Sequence, residues 1–265
     1  MKIISMPERA VVKKDFREIW DSKMARNTLL VVPLLLAVAI PVLFLVVACN
    51  TPMDQINGVD SMMKLLPQEA KSFSLRQSMF YILTNTLFPM FFLMIPLMTS
   101  SVSAASSFVG EKERNTLETL ILTPLSLKQI FKAKVLGCIF LSAVTTAVSF
   151  LSFAVIVSIG DIFLGMPFFL NWNWLVLLLF LTPGVTVFGV VFMVLVSAKS
   201  KSYIESVQTS GYIVLPLVLM FVGQFTGLFT LNAVIFLLVS VVVVLIDIPV
   251  WMIASRSFTA EKLLK

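Results

Sequence analysis

Six stretches of this chain stay apolar for about 20 residues or more, and no other feature limits the fold as severely. A helix rises about 1.5 Å per residue, so each stretch is long enough to cross a hydrocarbon core of roughly 30 Å. The stretches run over residues 28–49, 78–108, 135–158, 174–197, 203–223 and 231–254. Composition agrees: 58% of the 265 residues are hydrophobic and 13% are charged, against about 25% charged in a soluble globular chain. The expected fold is an all-α membrane protein with six transmembrane helices, forming one transmembrane domain over residues 1–265. The second stretch is long for a single crossing, so it should tilt, kink at Pro89 or Pro96, or project past the lipid.

Basic residues set the expected orientation, because short loops rich in Lys and Arg remain cytoplasmic. Seven precede the first span, five lie between the second and third (Lys112, Arg114, Lys128, Lys132 and Lys134), two between the fourth and fifth, and three follow the sixth. The opposite loops hold only Lys64, Lys71 and Arg76. Both termini, including the tail 255–265, are therefore expected in the cytoplasm. Topology accounts for the net charge of +6, and a nucleic-acid partner is not needed to explain it. The basic leader is too long and polar for a cleaved signal. In residues 1–27, Val12, Phe16, Ile19, Trp20 and Lys23 recur at helical spacing, with Ser5 and Glu8 set as a capping box. This segment is expected to be an amphipathic helix in the lipid interface, with Trp20 at headgroup depth.

Catalytic chemistry is sparse. The chain has no histidine, the commonest general base and metal ligand, and it lacks a GxxxxGK[ST] phosphate loop. No enzymatic activity and no cofactor on this chain are expected. Gly160 and Asp161 fall in an expected outer loop without a partner acid. Cys49 and Cys138 belong to opposite ends of the membrane, too far apart for a disulfide within one chain. Trp172 and Trp174 suit the outer interface.

Two intramembrane features stand out. Asp247 lies deep in the sixth span, where a charge costs roughly 2.5–3.5 kcal/mol on insertion scales; it is a candidate for a polar pathway or for helix packing. The run "TSSVSAASS", residues 99–107, carries Ser103, Ser106 and Ser107. Small hydroxylated residues let helices approach closely and bond across the contact, so the run reads as a packing seam or as a polar stripe along a pathway.

Between the second and third spans stands "GEKERNTLETLILTP", residues 110–124. Leu117, Leu120 and Ile121 share one helical face while Glu111, Arg114 and Glu118 share another. A short amphipathic helix is expected, stopped by Pro124, with Ser126 capping a second helix from about Leu127 into the third span. Together, residues 110–131 would make a rigid elbow that turns its acids toward water.

This stretch resembles the signature of permease subunits of ABC-2-type transporters, a pattern like E-x-E-x-x-T-L-E-x-L-L-x-T-P-x-S after the second span. Glu111, Glu113, Thr116, Leu117, Glu118, Leu120, Thr123, Pro124 and Ser126 match it at intact spacing. Asn115 replaces a frequent Gly, and Ala133 precedes Lys134 where Gly-Lys is frequent. The resemblance implies a permease in the plasma membrane that pairs with a second permease subunit, identical or not. It also implies docking on a dimer of cytoplasmic ABC ATPase subunits, which would hold the ATP and Mg. Glu111, Glu113, Thr116, Leu117, Glu118, Leu120, Thr123 and Pro124 would couple the two, the acids meeting the ATPase or bracing the elbow against the N-terminal helix. The implied cargo ranges over peptides, antibiotics, lipid-like molecules and ions. The alternative is a membrane protein that recruits an ATPase for regulation or assembly, or a channel, without itself exporting.

Overall fold

The computed structural model describes residues 6–50, 73–114, 116, 123, 125–197, 200, 202–226 and 232–257. Helix α1 covers Met6–Asp21. Six helices long and apolar enough to cross a membrane follow: α2 Lys23–Asn50, α3 Leu75–Glu113, α4 Leu127–Leu164, α5 Trp172–Ser197, α6 Tyr203–Gln224 and α7 Ala233–Arg256. No strand occurs among the described residues. The six expected spans are therefore all present, and α3 and α4 are longer than expected. At 1.5 Å per residue each of these two approaches 60 Å, about twice the hydrocarbon thickness.

Helix α3 is the axis of the bundle, touching α1, α2, α4, α5 and α6. The seam expected along it forms inside one chain: Thr99 to Ser107 are all buried. Its most extensive contact is with α5, where Gly189 faces Ser100. A methyl at position 189 would clash with the Ser100 hydroxyl and come within 3.3 Å of the Leu97 carbonyl oxygen. Against α4, Thr99 and Ser142 share a hydrogen bond of 2.7 Å, and Ser142 also donates to the Pro96 carbonyl at 3.2 Å. The Ser142 hydroxyl thus ties α4 to the turn of α3 that contains Pro96.

Four spans contain an irregular turn, each ending two residues before a proline. Wide π turns at Asn27–Val31, Ile82–Leu87 and Leu177–Leu181 precede Pro33, Pro89 and Pro183, and a tight 3₁₀ turn at Gly211–Val214 precedes Pro216. Proline has no N–H to donate, and its ring crowds the carbonyl four residues back. That carbonyl lies inside the irregular turn in all four cases, so the bonding pattern shifts rather than leaving a group bare in lipid. Pro41, Pro96 and Pro249 lie inside α-helix instead.

At the end of the bundle opposite α1, aromatic rings fill the core. Phe88 stacks on Phe153 with centroids 4.2 Å apart, and Trp174 packs 5.0 Å from Phe153. Trp174 is fully buried, whereas Trp172 is 74% exposed. Only Trp172 is placed where an interfacial tryptophan would be; residues i and i+2 point to nearly opposite sides of a helix, so the two cannot both face outward. The Gly160–Asp161 pair also departs from expectation, lying within α4 rather than in a loop. Asp161 is buried and accepts a hydrogen bond from the Phe169 amide at 2.9 Å, while Gly165, at φ 65°, ends the helix in the left-handed conformation. Cys49 and Cys138 are both free thiols.

Candidate functional site

The signature stretch does not begin as a separate helix. Helix α3 continues through Glu113, so Glu111 and Glu113 form its last turn. Leu117, Glu118, Leu120 and Pro124 lie outside the described residues, as does the amphipathic helix expected there. Thr116 donates its backbone N–H to the Glu111 carbonyl at 3.0 Å, which closes the end of α3. On the far side, Ser126 caps α4 at the expected place: its hydroxyl accepts from the Gln129 amide, and the Gln129 side chain accepts from the Ser126 amide at 2.9 Å. Thr123 lies just before this cap and is partly buried.

Glu111 does not face water. It is 0% exposed, and each carboxylate oxygen meets an ammonium: Lys134 of α4 at 2.8 Å and Lys14 of α1 at 2.5 Å. Lys134 is equally buried. Its Nζ also donates to the Ser107 carbonyl at 2.7 Å, lies 3.5 Å from Asp15 Oδ2 and stands 5.5 Å from the centre of the Phe108 ring. The Ser107 hydroxyl donates to the same Asp15 oxygen at 2.5 Å. Two acids and two bases thus neutralise one another in a setting where a single unpaired charge would be prohibitive. Burial pushes the Asp15 carboxyl above its ordinary value, and Lys134 and the Ser107 hydroxyl pull it back.

The neighbouring residues extend this hub. Arg114 pairs with Glu18 of α1, and Glu113 accepts a hydrogen bond from the Tyr203 amide, at the start of α6, at 2.9 Å. In the space of four residues the root of the elbow is bonded to α1, α4 and α6.

Helix α1 packs one face against the bundle. Glu8, Val11, Asp15 and Ile19, three or four residues apart, turn inward. Phe16 and Trp20 remain exposed and stack on each other at 5.9 Å. Ser5, the expected cap, lies outside the described residues. Ile19, expected with Phe16 and Trp20 in the lipid interface, packs inward instead, while the charged contacts come from the face that carries Asp15. Asp15 and Lys134 escaped the sequence reading, although the signal was present. Lys134 falls in step with Ile130 and Cys138 at i, i+4 and i+8, a lone cation on a buried apolar face; Asp15 interrupts Val11 and Ile19 in the same way.

Asp15, Glu18 and Glu111 bring carboxylate oxygens together closely enough to ligate a metal ion. Lys14, Lys134 and Arg114 already occupy those oxygens, so the donors suit an ion-pair network better than a cation. Ser103 and Ser106 line the buried seam, and Ser107 bonds within the hub itself. Asp247 does not join the hub; it lies on α7 beside residues of α5.

Six membrane-length helices, with α3 the most buried of them and an ion-pair network at its elbow end, define an all-α, multi-pass membrane protein. The chain belongs to the ABC-2 family of transporter proteins, whose family model matches residues 9–237. It is thus a permease of an ABC transporter, a membrane-spanning subunit of a kind that is generally not catalytic and that partners an ABC ATPase subunit. No curated protein and no solved structure matches the chain significantly.

Proposed function

We propose that this permease, paired with a second permease copy, encloses the path of an ATP-driven exporter in the plasma membrane, with both termini and the elbow in the cytoplasm. The bonding of the elbow root to three other helices carries this reading. A segment that receives a push must not yield where it joins the bundle. Here a displacement of Glu111, Glu113 and Arg114 takes α4, α6 and α1 with it, because buried ion pairs and packed interiors shift between discrete arrangements rather than stretch.

The division of roles follows from burial. Glu111 braces the elbow from within, and Glu113 and Thr116 hold its root. The segment containing Leu117, Glu118, Leu120 and Pro124 presents the surface on which the ATPase docks, with Thr123 leading back to α4. ATP and Mg stay on the ATPase dimer. Phe16 and Trp20 rest in the lipid interface and seat α1 against the membrane, so that α1 acts as the fixed side of the joint.

The test is reconstitution in liposomes with the cognate ABC ATPase. Exchanging Glu118→Lys should leave membrane insertion intact and lower permease-stimulated ATP hydrolysis by about tenfold, the scale of one lost charge-assisted contact. Full ATP hydrolysis by the variant complex removes the elbow from the coupling path.

A further inference from the structure

A groove of about 520 Å³ opens on the outside of the bundle between α5 and α7. Leu179, Phe180 and Val187 supply apolar walls from α5, and Ser240, Asp247 and Trp251 line it from α7. Positions 240, 247 and 251 fall on one face of the helix, at i, i+7 and i+11.

Asp247 is only 7% exposed, and its Oδ1 has no hydrogen-bond partner. Among the described residues, no Lys or Arg forms an ion pair with Asp247. Counted from Arg256, the carboxyl lies nine residues into α7, about 13 Å along the axis. A group that costly in lipid normally faces a partner or a pathway. Beside it, the Trp251 ring is fixed edge-on against Phe131, with centroids 5.6 Å apart.

One carboxylate and one hydroxyl are too few oxygens for a hard metal cation, which takes about six. The set suits a different ligand. A delocalised positive charge would neutralise the carboxylate, the indole face would add its quadrupole, and hydrocarbon walls would accept an apolar body. We propose that this groove is a binding site for a lipophilic organic cation, held by Asp247 with Trp251 at its side. The site deepens the exporter reading by giving its cargo a chemical class, yet the binding step rests on α5 and α7 and needs no ATPase.

Tetraphenylphosphonium and tetraphenylborate have the same shape and opposite charge, and they separate charge recognition from simple partition. The full chain in phosphatidylcholine nanodiscs, without ATPase, is titrated with each by equilibrium dialysis. The proposal expects saturable binding of the phosphonium alone, about tenfold weaker or worse in Asp247→Asn, retained in Asp247→Glu and weakened in Trp251→Leu. Equal uptake of the borate, undiminished binding by a folded Asp247→Asn, or no saturable phosphonium binding overturns it. Should Asp247→Asn not fold, the phosphonium and borate comparison on the unaltered chain decides. Disulfide formation between two copies carrying Val244→Cys assigns the groove to a second permease subunit instead, which also overturns it. None of these outcomes touches the Glu118→Lys experiment, whose readout is ATP hydrolysis.

Discussion

Lys134 shows how much one side chain can organise. Its ammonium touches groups from α1 and α3, and among the described residues only Lys14 and Lys134 pair with Glu111. Replacing it with an apolar side chain of similar length leaves two acids packed together around Lys14 alone. Breaking a buried pair by removing one partner costs roughly 3–5 kcal/mol. Lys134→Met is therefore expected to lower the melting temperature in nanodiscs well below that of Lys128→Met, which alters an exposed cation on the same helix and should change stability by about 0.5 kcal/mol or less. Equal melting temperatures would show that the hub contributes nothing to stability. A lone cation in step with Ile130 and Cys138 marked Lys134 as buried, but nothing in the sequence paired it with Asp15 or Glu111. Helical spacing tells which side of its own helix a residue occupies, but not which neighbour lies opposite.

Among the elements, α3 and α5 form the tightest joint. Gly189 is needed because the Ser100 side chain and the Leu97 carbonyl leave no room for a Cβ. Gly189→Val should force the helices apart at an overpacking cost of about 1–3 kcal/mol, read as a lower melting temperature. Gly211→Ala is the matched control, since nothing lies within 4 Å of the Cβ it adds. The small-residue run 99–107 announced a close approach along α3, and the approach is there. Its partner did not announce itself, because one glycine among apolar residues carries no address. Prolines behaved similarly. They marked distortions in the spans, but only the bonded structure shows four of them coupled to a wide or tight turn and three accommodated within α-helix.

For the molecule as a whole, the orientation proposed from charge asymmetry makes a direct prediction. In a cysteine-free background, Asn232→Cys before α7 should react with an impermeant maleimide in intact cells. Ser126→Cys before α4 should react only after the membrane is opened. The reverse pattern would invert the topology and place the elbow where no cytoplasmic ATPase could reach it. The exposed apolar surface fits a chain that is never alone: α2 and α7 keep most of their side chains outward, toward lipid or a second subunit.

By itself the sequence determined the solvent, the number of spans, the cap of α4 and the family signature, all of which depend on composition and on spacing within about 20 residues. Tertiary structure alone decided that Glu111 is a buried brace rather than a solvent-facing contact, that α1 turns Asp15 inward, that Trp174 fills the core and that Asp247 lines an open groove. Those outcomes depend on which helices meet. Asp15 and Glu111 are 96 residues apart in the chain, and no local periodicity encodes a pairing across that distance.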